Sequence, residues 1–337
     1  MLSWRRLRRL LLPSSPPRRR WVATLLLAFI ATVGWSTAAS AAQAAAPTPP
    51  APAAQEPMVV IPAGPFIMGS TRSERDYGYR LDETLHNSAT ARTYGWFETE
   101  TRQTVELPTY SIDRLLVTNE QYQRFVTGAA HPAPFVDEAT WKSYGLIHPY
   151  KTAQRFLWQE TSFPVDRGKH PVVLVSHADA AAFCAWRGKR EARPLRLPTE
   201  AEWEKAARGT DGRAFPWGNE FDPTRLNSFD RGPYDTLPVG SYPRGVSPYG
   251  VHDMAGMVFE WTATAGARPG TFMVKGGSWD DLPGVTRSAA RHDRPAALKH
   301  VLIGFRCAAE GAVRGALPST ATGTPAGGPQ PPPLPLR

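Results

Sequence analysis

The sequence predicts an α+β domain that is compact, rich in loops and poor in regular secondary structure. Three observations predict this class. The stretch MVVIPAGPFIMGS at 58–70 contains two short apolar runs separated by Pro-Ala-Gly, a pattern typical of a β-hairpin. Short helices with clear capping signals occupy the middle of the chain. Beyond residue 215, glycine and proline turns alternate with aromatic residues, which indicates a domain held together by aromatic packing.

The first half of the domain is expected to continue with an insertion, strands and a helix. Residues 71–104 are polar and rich in charge and tyrosine, which indicates a long surface insertion. The stretch VELPTYSIDRLLVT alternates apolar and polar residues as a strand does. Thr118 begins a short helix, because Gln121 follows three residues later and completes a capping box.

A strand and two helices are expected next. VVLVS at 172–176 is short and apolar, as expected of a buried strand, and its serine caps a helix that runs through Trp186. RLPTEAEWEKAARG carries the clearest helix signal of the chain. Thr199 and Glu202 form its capping box, and Gly209 ends it.

Segments of different composition flank the domain expected at 58–310. Residues 1–44 combine seven arginines, an apolar run of fifteen residues and A-x-A-like cleavage sites, which together predict a secretory signal peptide. An uncleaved membrane anchor is the alternative, although the run is shorter than the roughly 20 residues of a membrane span. An Ala/Pro linker at 45–57 and a disordered Pro/Gly tail at 311–337 complete the chain. We therefore expect a periplasmic or secreted protein, exported by the Sec or Tat route.

The positive charge of the chain is concentrated in that leader. The formal net charge is +9, but seven of the 39 Lys and Arg residues lie in the first twenty positions. The remaining 32 nearly balance the 30 acidic residues, all of which lie further along. A nearly neutral domain gives no basis for nucleic-acid binding.

The chain contains two cysteines, Cys184 and Cys307, both in apolar surroundings. An exported chain with two such cysteines most simply forms one disulfide. Two buried free thiols are the alternative, because cysteine is common in protein cores.

Nine segments across 59–308 resemble, in the same order, those of the formylglycine-generating enzyme (sulfatase-modifying factor) superfamily. They are IPAGPFIMGS, VTNEQYQRF, HPVVLVS with FCAW, RLPTEAEWEKAARG, FPWGNE, PVGSYP, YGVHDMAGMVFEW, GGSW and GFRC. The resemblance implies a compact, loop-rich α+β fold related to C-type lectins. It also implies that Cys184 pairs with Cys307, since the family's formylglycine enzymes bridge the cysteines of these two segments.

The resemblance further implies structural calcium, a cation that takes oxygen ligands. The implied ligands are Asp253, Gly256 and Glu260 at one site, and Asn227 with Asp230 or Asp235 at a second. Met257 stands where the family has an asparagine, which removes one ligand of the first site. The alternative is that these residues form turns and that Glu260 is a solvated carboxylate.

The family's formylglycine enzymes oxidise a substrate cysteine with oxygen and bind Cu(I) through two cysteines just after the GGS-aromatic segment. Here that stretch is DDLPGVT, with Asp280 and Asp281 and no cysteine. Carboxylates do not suit Cu(I), so neither copper nor that mechanism is expected. The chain is more similar to secreted members without these cysteines, a class that includes the periplasmic protein that oxidises the dihydro precursor of the pyoverdine fluorophore.

In the family fold the ligand cleft lies beside the GGS segment and the following arginines. The candidate substrate-binding residues are therefore Ser278, Trp279, Asp280, Asp281, Arg291, Asp293 and Arg294. His292 is a candidate catalytic group, because imidazole transfers protons near neutral pH. A surface salt-bridge run is the alternative for 291–294. Glu260, between two aromatic residues, is either a general base or a calcium ligand.

Two functions fit these features. The first is a periplasmic maturation enzyme that oxidises or modifies a small-molecule or peptide-derived substrate, such as a siderophore precursor. The second is a binding or accessory module without catalysis, acting within a maturation or respiratory assembly. The missing cysteines leave open whether the protein is an enzyme.

Overall fold

A computed structural model describes residues 57–318 of the chain. The predicted signal peptide, the linker up to residue 56 and the tail beyond residue 318 lie outside the described residues. The helices are α1 (Arg72–His86), α2 (Thr90–Thr93), α3 (Asn119–Ala129), α4 (Glu138–Ser143), α5 (Tyr150–Gln154), α6 (His177–Arg190) and α7 (Glu200–Arg208). The strands are β1 (Met58–Ile61), β2 (Gly64–Met68), β3 (Gln103–Leu107), β4 (Tyr110–Asp113), β5 (Phe259–Ala265), β6 (Thr271–Lys275), β7 (Arg291–Pro295), β8 (Ile303–Gly304) and β9 (Ala308–Glu310).

The strands form three small sheets. The first has the order β1-β4-β9 and is antiparallel, and the second is the antiparallel pair β2-β3. The third has the order β7-β6-β5-β8, with β5 and β8 parallel. Long irregular connections join these elements, which confirms the predicted α+β fold with little regular structure. Within 57–318, no helix has the length and apolar character that crossing a membrane requires.

The predicted hairpin at 58–70 is wrong. β1 pairs with β4 and β2 pairs with β3, so the two apolar runs belong to different sheets. The link between them turns at Gly64, whose φ is 121°. The Lys205 ammonium binds the carbonyl oxygens of Pro62 and Gly64 at 2.7 and 2.8 Å, which fixes the link away from a hairpin geometry.

The polar segment at 71–104, predicted to be a surface insertion, contains the helix α1. Thr71 accepts a hydrogen bond from the Glu74 N–H, and the Glu74 carboxylate accepts one from the Thr71 N–H, so α1 begins with a capping box. Tyr79 and Phe97 stack on each other in the core at a centroid distance of 4.6 Å. The insertion is therefore anchored by its aromatic residues as well as exposed to solvent.

The predicted helix starts at Thr118, Ser176 and Thr199 are confirmed, each with a capping box. The apolar run at 172–176 is buried but is not a strand. Leu174 has a φ of 60°, which interrupts extended backbone, and its N–H donates to the carbonyl of His300. Tertiary contacts therefore override the local strand preference of the run.

The disulfide between Cys184 and Cys307 joins α6 to the segment before β9, which confirms the predicted pairing. Both cysteines are completely buried among aromatic core residues. The domain also extends past its predicted end at residue 310. Leu317 pairs with Val59 and exchanges backbone hydrogen bonds with β1, so the first residues of the predicted tail pack against the domain.

Candidate functional site

The loop after the GGSW segment forms the centre of the candidate site. β6 ends at Lys275, and Gly276 and Gly277 follow with positive φ angles of 98° and 70°. A side chain at Gly277 would lie 3.0 Å from the Thr286 methyl carbon, so glycine allows the loop to fold back on itself. The Trp279 N–H then donates to the carbonyl oxygen of Met257, just before β5.

The insertion holds this loop in place from the other side. The Asp82 carboxylate on α1 accepts a hydrogen bond from the Gly284 N–H at 2.7 Å. Glu100 forms a two-point ion pair with Arg287, with both side chains buried. The insertion therefore holds the middle and the C-terminal part of this loop in place.

Asp281 closes a tight turn with Ser278 inside this loop. Its Oδ2 accepts hydrogen bonds from the Ser278 N–H at 2.8 Å and from the Ser278 hydroxyl. Among residues 57–318, Oδ1 has no hydrogen-bond partner. Asp281 therefore has one oxygen for its own turn and one oxygen for a ligand or a proton.

Burial raises the pKa of the Asp281 carboxyl to about 6. The Ser278 hydroxyl opposes this rise by stabilising the carboxylate, whereas the negative charge of Asp280 adds to it. A carboxyl with this pKa is mainly ionised at neutral pH but can still be protonated readily. Such a group meets the requirement of a general base or acid.

His148 lies beside the neighbouring carboxylate of the loop. Its Nε2 is 2.9 Å from an oxygen of Asp280, at an angle that does not suit a hydrogen bond. Its ring centroid is 5.9 Å from that of Trp279. The same histidine borders a surface groove of about 510 Å³, lined by Glu138, Trp141, Lys142, Leu146, Ile147, His148, Pro149, Tyr150, Lys151 and Gln154. His148 therefore links this groove to the loop.

His300 packs between the same aromatic groups. Its ring stacks on Trp141 at 5.2 Å and lies 5.9 Å from the His148 ring. Burial lowers the pKa of His300 to about 3, so the ring is neutral at physiological pH. Its Nδ1 accepts a hydrogen bond from the Leu302 N–H, which places the proton on Nε2. This Nε2 and the Nε1 of Trp279 are both buried without a hydrogen-bond partner.

The four residues at 291–294 do not converge on one pocket as expected, because they lie on strand β7 and alternate between its faces. Arg291 is bound to Glu200 at 2.8 Å, and Asp293 is bound to Arg268 at 3.0 Å. These two expected substrate-binding residues are therefore engaged in ion pairs. His292 and Arg294 lie on the opposite face, near Phe259.

His292 does not provide the proton-transfer group near neutral pH that the sequence suggested. Burial and the positive charge of Arg294 lower the pKa of His292 to about 3. The ring packs edge-on against Trp96 and Phe259 at 6.0 and 5.6 Å. At physiological pH it is a neutral part of an aromatic cluster.

The comparisons with known proteins identify the family. A family model described as a sulfatase-modifying factor enzyme 1-like domain matches residues 43–311. The chain belongs to this family. Mouse inactive C-alpha-formylglycine-generating enzyme 2 is 31% identical over 76% of this chain and 86% of its own length. The formylglycine-generating enzyme of Thermomonospora curvata is 33% identical over 62% of this chain and 84% of its own length.

A solved structure supports the fold assignment. PvdO from Pseudomonas aeruginosa superposes with a TM-score of 0.55, covering 74% of this chain and 93% of PvdO. The sequence identity is 23%, so this likeness shows a shared fold.

This sulfatase-modifying factor chain does not offer the thiolates that Cu(I) prefers. Its two cysteines are bonded to each other, which leaves no thiol. Within residues 57–318, no cluster of three or more His, Cys, Asp or Glu side chains is arranged to hold a metal ion. The residues at the position after GGSW, Asp280 and Asp281, therefore do not fit copper.

The proposed catalytic role of Glu260 does not fit the structure. Its carboxylate forms a two-point ion pair with Arg306 at 2.6 and 2.7 Å, and both side chains are completely buried. A substrate cannot reach this carboxylate without opening the core. Glu260 is therefore a structural partner of the GFRC arginine rather than a general base.

The same ion pair argues against the first calcium site. Calcium takes about six to eight oxygen ligands, and carboxylates supply most of the compensating charge. The charge of Glu260 is already balanced by Arg306, and burial raises the pKa of Asp253 to about 6. Asp253 also accepts the Gly240 N–H at 2.7 Å. This set, which includes Gly256, does not fit a calcium ion.

The second calcium site is no more complete. Asn227 Oδ1 is buried without a hydrogen-bond partner, as a ligand oxygen could be. However, Asp230 is bound to His86 at 2.7 Å, and Asp235 is bound to Arg167 at 2.6 Å. Met257 Sδ lies 3.5 Å from the Asn227 amide and fills the adjacent space with a thioether. A single available oxygen does not make a calcium site.

Of the residues predicted for the site, Ser278, Trp279 and Asp281 lie in this loop, whereas Arg294 lies on strand β7. The sequence did not indicate His148 or His300. Neither histidine lies in a recognisable motif, and both reach the loop through irregular segments. No local signal in the sequence distinguishes them from the other six histidines.

Proposed function

We propose that this sulfatase-modifying factor protein is an exported maturation enzyme that oxidises a small metabolite of the siderophore-precursor type. Asp281 is the proton acceptor in this proposal. The observation that carries it is a carboxyl with a free oxygen and a pKa of about 6. This carboxyl follows the GGSW segment, where copper enzymes of the family place a thiolate.

The chemistry assigns separate tasks to the protein and to dioxygen. Asp281 Oδ1 removes a proton from the reduced substrate, which leaves an electron-rich anion. Dioxygen, as co-substrate, accepts two electrons from this anion, the proton taken up by Asp281 and the second proton that the substrate releases, and becomes hydrogen peroxide, while the substrate gains a double bond. The groove beside His148, which Trp141 and Tyr150 also line, supplies an aromatic surface for a flat, conjugated substrate.

A binding module without catalysis is the second candidate. The observation that favours it is the disulfide, which removes both thiols of the chain from redox chemistry. The mouse relative described as inactive is consistent with family members that keep the scaffold without the reaction. In this case the cleft binds its ligand and releases it unchanged.

Incubation with a reduced pyoverdine-type precursor in air is expected to yield the oxidised chromophore. The proposed reaction predicts one hydrogen peroxide formed and one dioxygen consumed per product. Product absorbance, an oxygen electrode and a peroxide assay measure the three quantities, with thermally unfolded protein as the control. Saturable binding of the precursor without product or peroxide would contradict the enzyme and favour the binding module.

A further inference from the structure

His148 combines an aspartate partner with a position in a cavity. Within residues 57–318, three histidines form an ion-pair contact with an aspartate, in the pairs His86–Asp230, His131–Asp179 and His148–Asp280. Of these three histidines, only His148 lines the groove of about 510 Å³ between α4 and α5. An aspartate beside a histidine compensates the charge that the ring acquires when it takes up a proton. His148 is therefore placed to exchange a proton with a molecule in the groove.

The two ring nitrogens of His148 have different surroundings. Nε2 is buried and lies 2.9 Å from Oδ2 of Asp280. The Asp280 carboxylate has no other ion-pair or hydrogen-bond partner within residues 57–318, so its charge acts on this ring. A carboxylate at this distance favours the tautomer with the proton on Nε2, which leaves the free electron pair on Nδ1. In the same part of the chain Nδ1 has no hydrogen-bond partner and is not fully buried, so it is the nitrogen left for a ligand.

Hydrogen bonds hold the aromatic side chains of the groove in place. The Trp141 Nε1–H donates to the carbonyl oxygen of His148 at 2.8 Å. The Tyr150 hydroxyl donates to the carbonyl oxygen of Val136 at 3.1 Å. The Trp141 ring also stacks on His300 at 5.2 Å. The groove is therefore preorganised, which lowers the entropic cost of binding a flat ring beside His148.

The other ionisable side chains of the groove are less suited to accept a proton. Glu138 is paired with Lys142 at 2.8 Å, and both Lys142 and Lys151 are cations that already carry their protons. An imidazole near neutral pH takes protons from groups of similar acidity, such as a phenolic hydroxyl on a conjugated ring. A carboxylic acid has already lost its proton at this pH, and an aliphatic alcohol holds its proton too strongly. The chemistry of His148 therefore selects a phenol.

We infer that the groove binds a planar aromatic molecule with a phenolic hydroxyl and that His148 takes up the proton of this hydroxyl. The O–H bond breaks, its electron pair stays on the phenolate oxygen, and the proton moves to Nδ1. This binding and proton transfer require no turnover. A part in oxidation rests on the proposed function: there His148 holds the second proton that the substrate releases and passes it to the peroxide formed from dioxygen.

The test titrates the full-length protein with para-nitrophenol at one pH unit below the pKa of this phenol, where about one tenth is ionised in solution. Equilibrium dialysis measures binding, and the visible absorbance of the phenolate measures proton transfer. In the wild type we expect saturable binding with most of the bound phenol ionised. His148→Gln should form about tenfold less phenolate per bound molecule, because its amide does not accept the proton. His131→Gln removes a histidine paired with an aspartate outside the groove and should behave as the wild type does.

A second measurement uses the wild type alone and does not depend on the folding of a variant. Diethyl pyrocarbonate modifies accessible neutral imidazoles, and mass spectrometry locates the modified residues. We expect modification of His148, slowed about tenfold by saturating para-nitrophenol because the ligand covers Nδ1. Modification of His131 should proceed at the same rate with and without the phenol. An unmodified His148, or one that the phenol does not protect, would overturn the site.

The outcomes separate this inference from the proposed function. Absence of saturation, a bound phenol no more ionised than the free one, or equal phenolate in the wild type and His148→Gln would overturn the inference. Phenolate formation that depends on His148, in a protein that consumes no oxygen with the reduced precursor, would remove the proposed enzyme and leave this site standing. Undiminished oxygen uptake by His148→Gln would overturn the part of His148 in the reaction.

Discussion

Replacing Arg306 by methionine is expected to lower the free energy of unfolding by about 3–5 kcal/mol. The guanidinium and the Glu260 carboxylate are both completely buried, so the variant leaves a negative charge in the core without its partner. Arg306 also donates to the carbonyl oxygens of Asp113 and His252. Its loss therefore also leaves two backbone acceptors on separate segments without this donor.

Denaturant unfolding followed by fluorescence measures this effect. The matched control is Arg225→Met, because Arg225 forms an ion pair with Asp222 at 2.8 Å with both side chains about one third exposed. A pair of that kind contributes at most about 1 kcal/mol. Combining Arg306→Met with Glu260→Leu should restore part of the lost stability, since the unpaired charge is gone. A loss below about 1 kcal/mol in Arg306→Met would contradict the structural role assigned to the pair.

Replacing Asp281 by asparagine is expected to lower the rate of substrate oxidation by about 100- to 10,000-fold. Asparagine has the same shape and its amide oxygen can still accept the Ser278 hydrogen bonds, so the turn should persist. The proton acceptor is what the variant lacks. Steady-state oxygen uptake measures the rate, and Asp222→Asn removes an exposed carboxylate elsewhere as the control.

The pH profile separates this role from a structural one. The carboxylate form is the base, and burial raises the pKa of Asp281 to about 6. At low substrate concentration the wild-type rate should therefore fall about tenfold per unit below pH 6 and stay level above it. The residual rate of Asp281→Asn should not show this acidic limb. The same limb in both proteins would assign the titration to another group.

The scaffold could be predicted because its determinants are local. Capping boxes at Thr118, Ser176 and Thr199 lie within four residues of chain, and the sequence shows them directly. The order of the family segments then fixed the fold class and the disulfide. The capping box at Thr71 was equally local, but the polar composition of the insertion obscured it.

The details of the site depend on contacts between distant segments, which one sequence does not show. Glu260 pairs with Arg306 rather than with a calcium ion, and these two residues are 46 positions apart in the sequence. His148 contacts Asp280, although more than half of the domain's sequence separates the two residues. The alternation of 291–294 was accessible in principle, because a strand assignment would have separated Arg291 from Arg294.

The proposed oxidation uses the Asp281 carboxyl and dioxygen, without copper held by thiolates. The most direct measurement is oxygen uptake with the reduced precursor before and after removal of metal ions by a chelator, with the residual metal content determined by mass spectrometry. We expect the same rate, within about twofold, in the metal-depleted protein. Loss of oxygen uptake on depletion, with recovery on addition of copper, would contradict it.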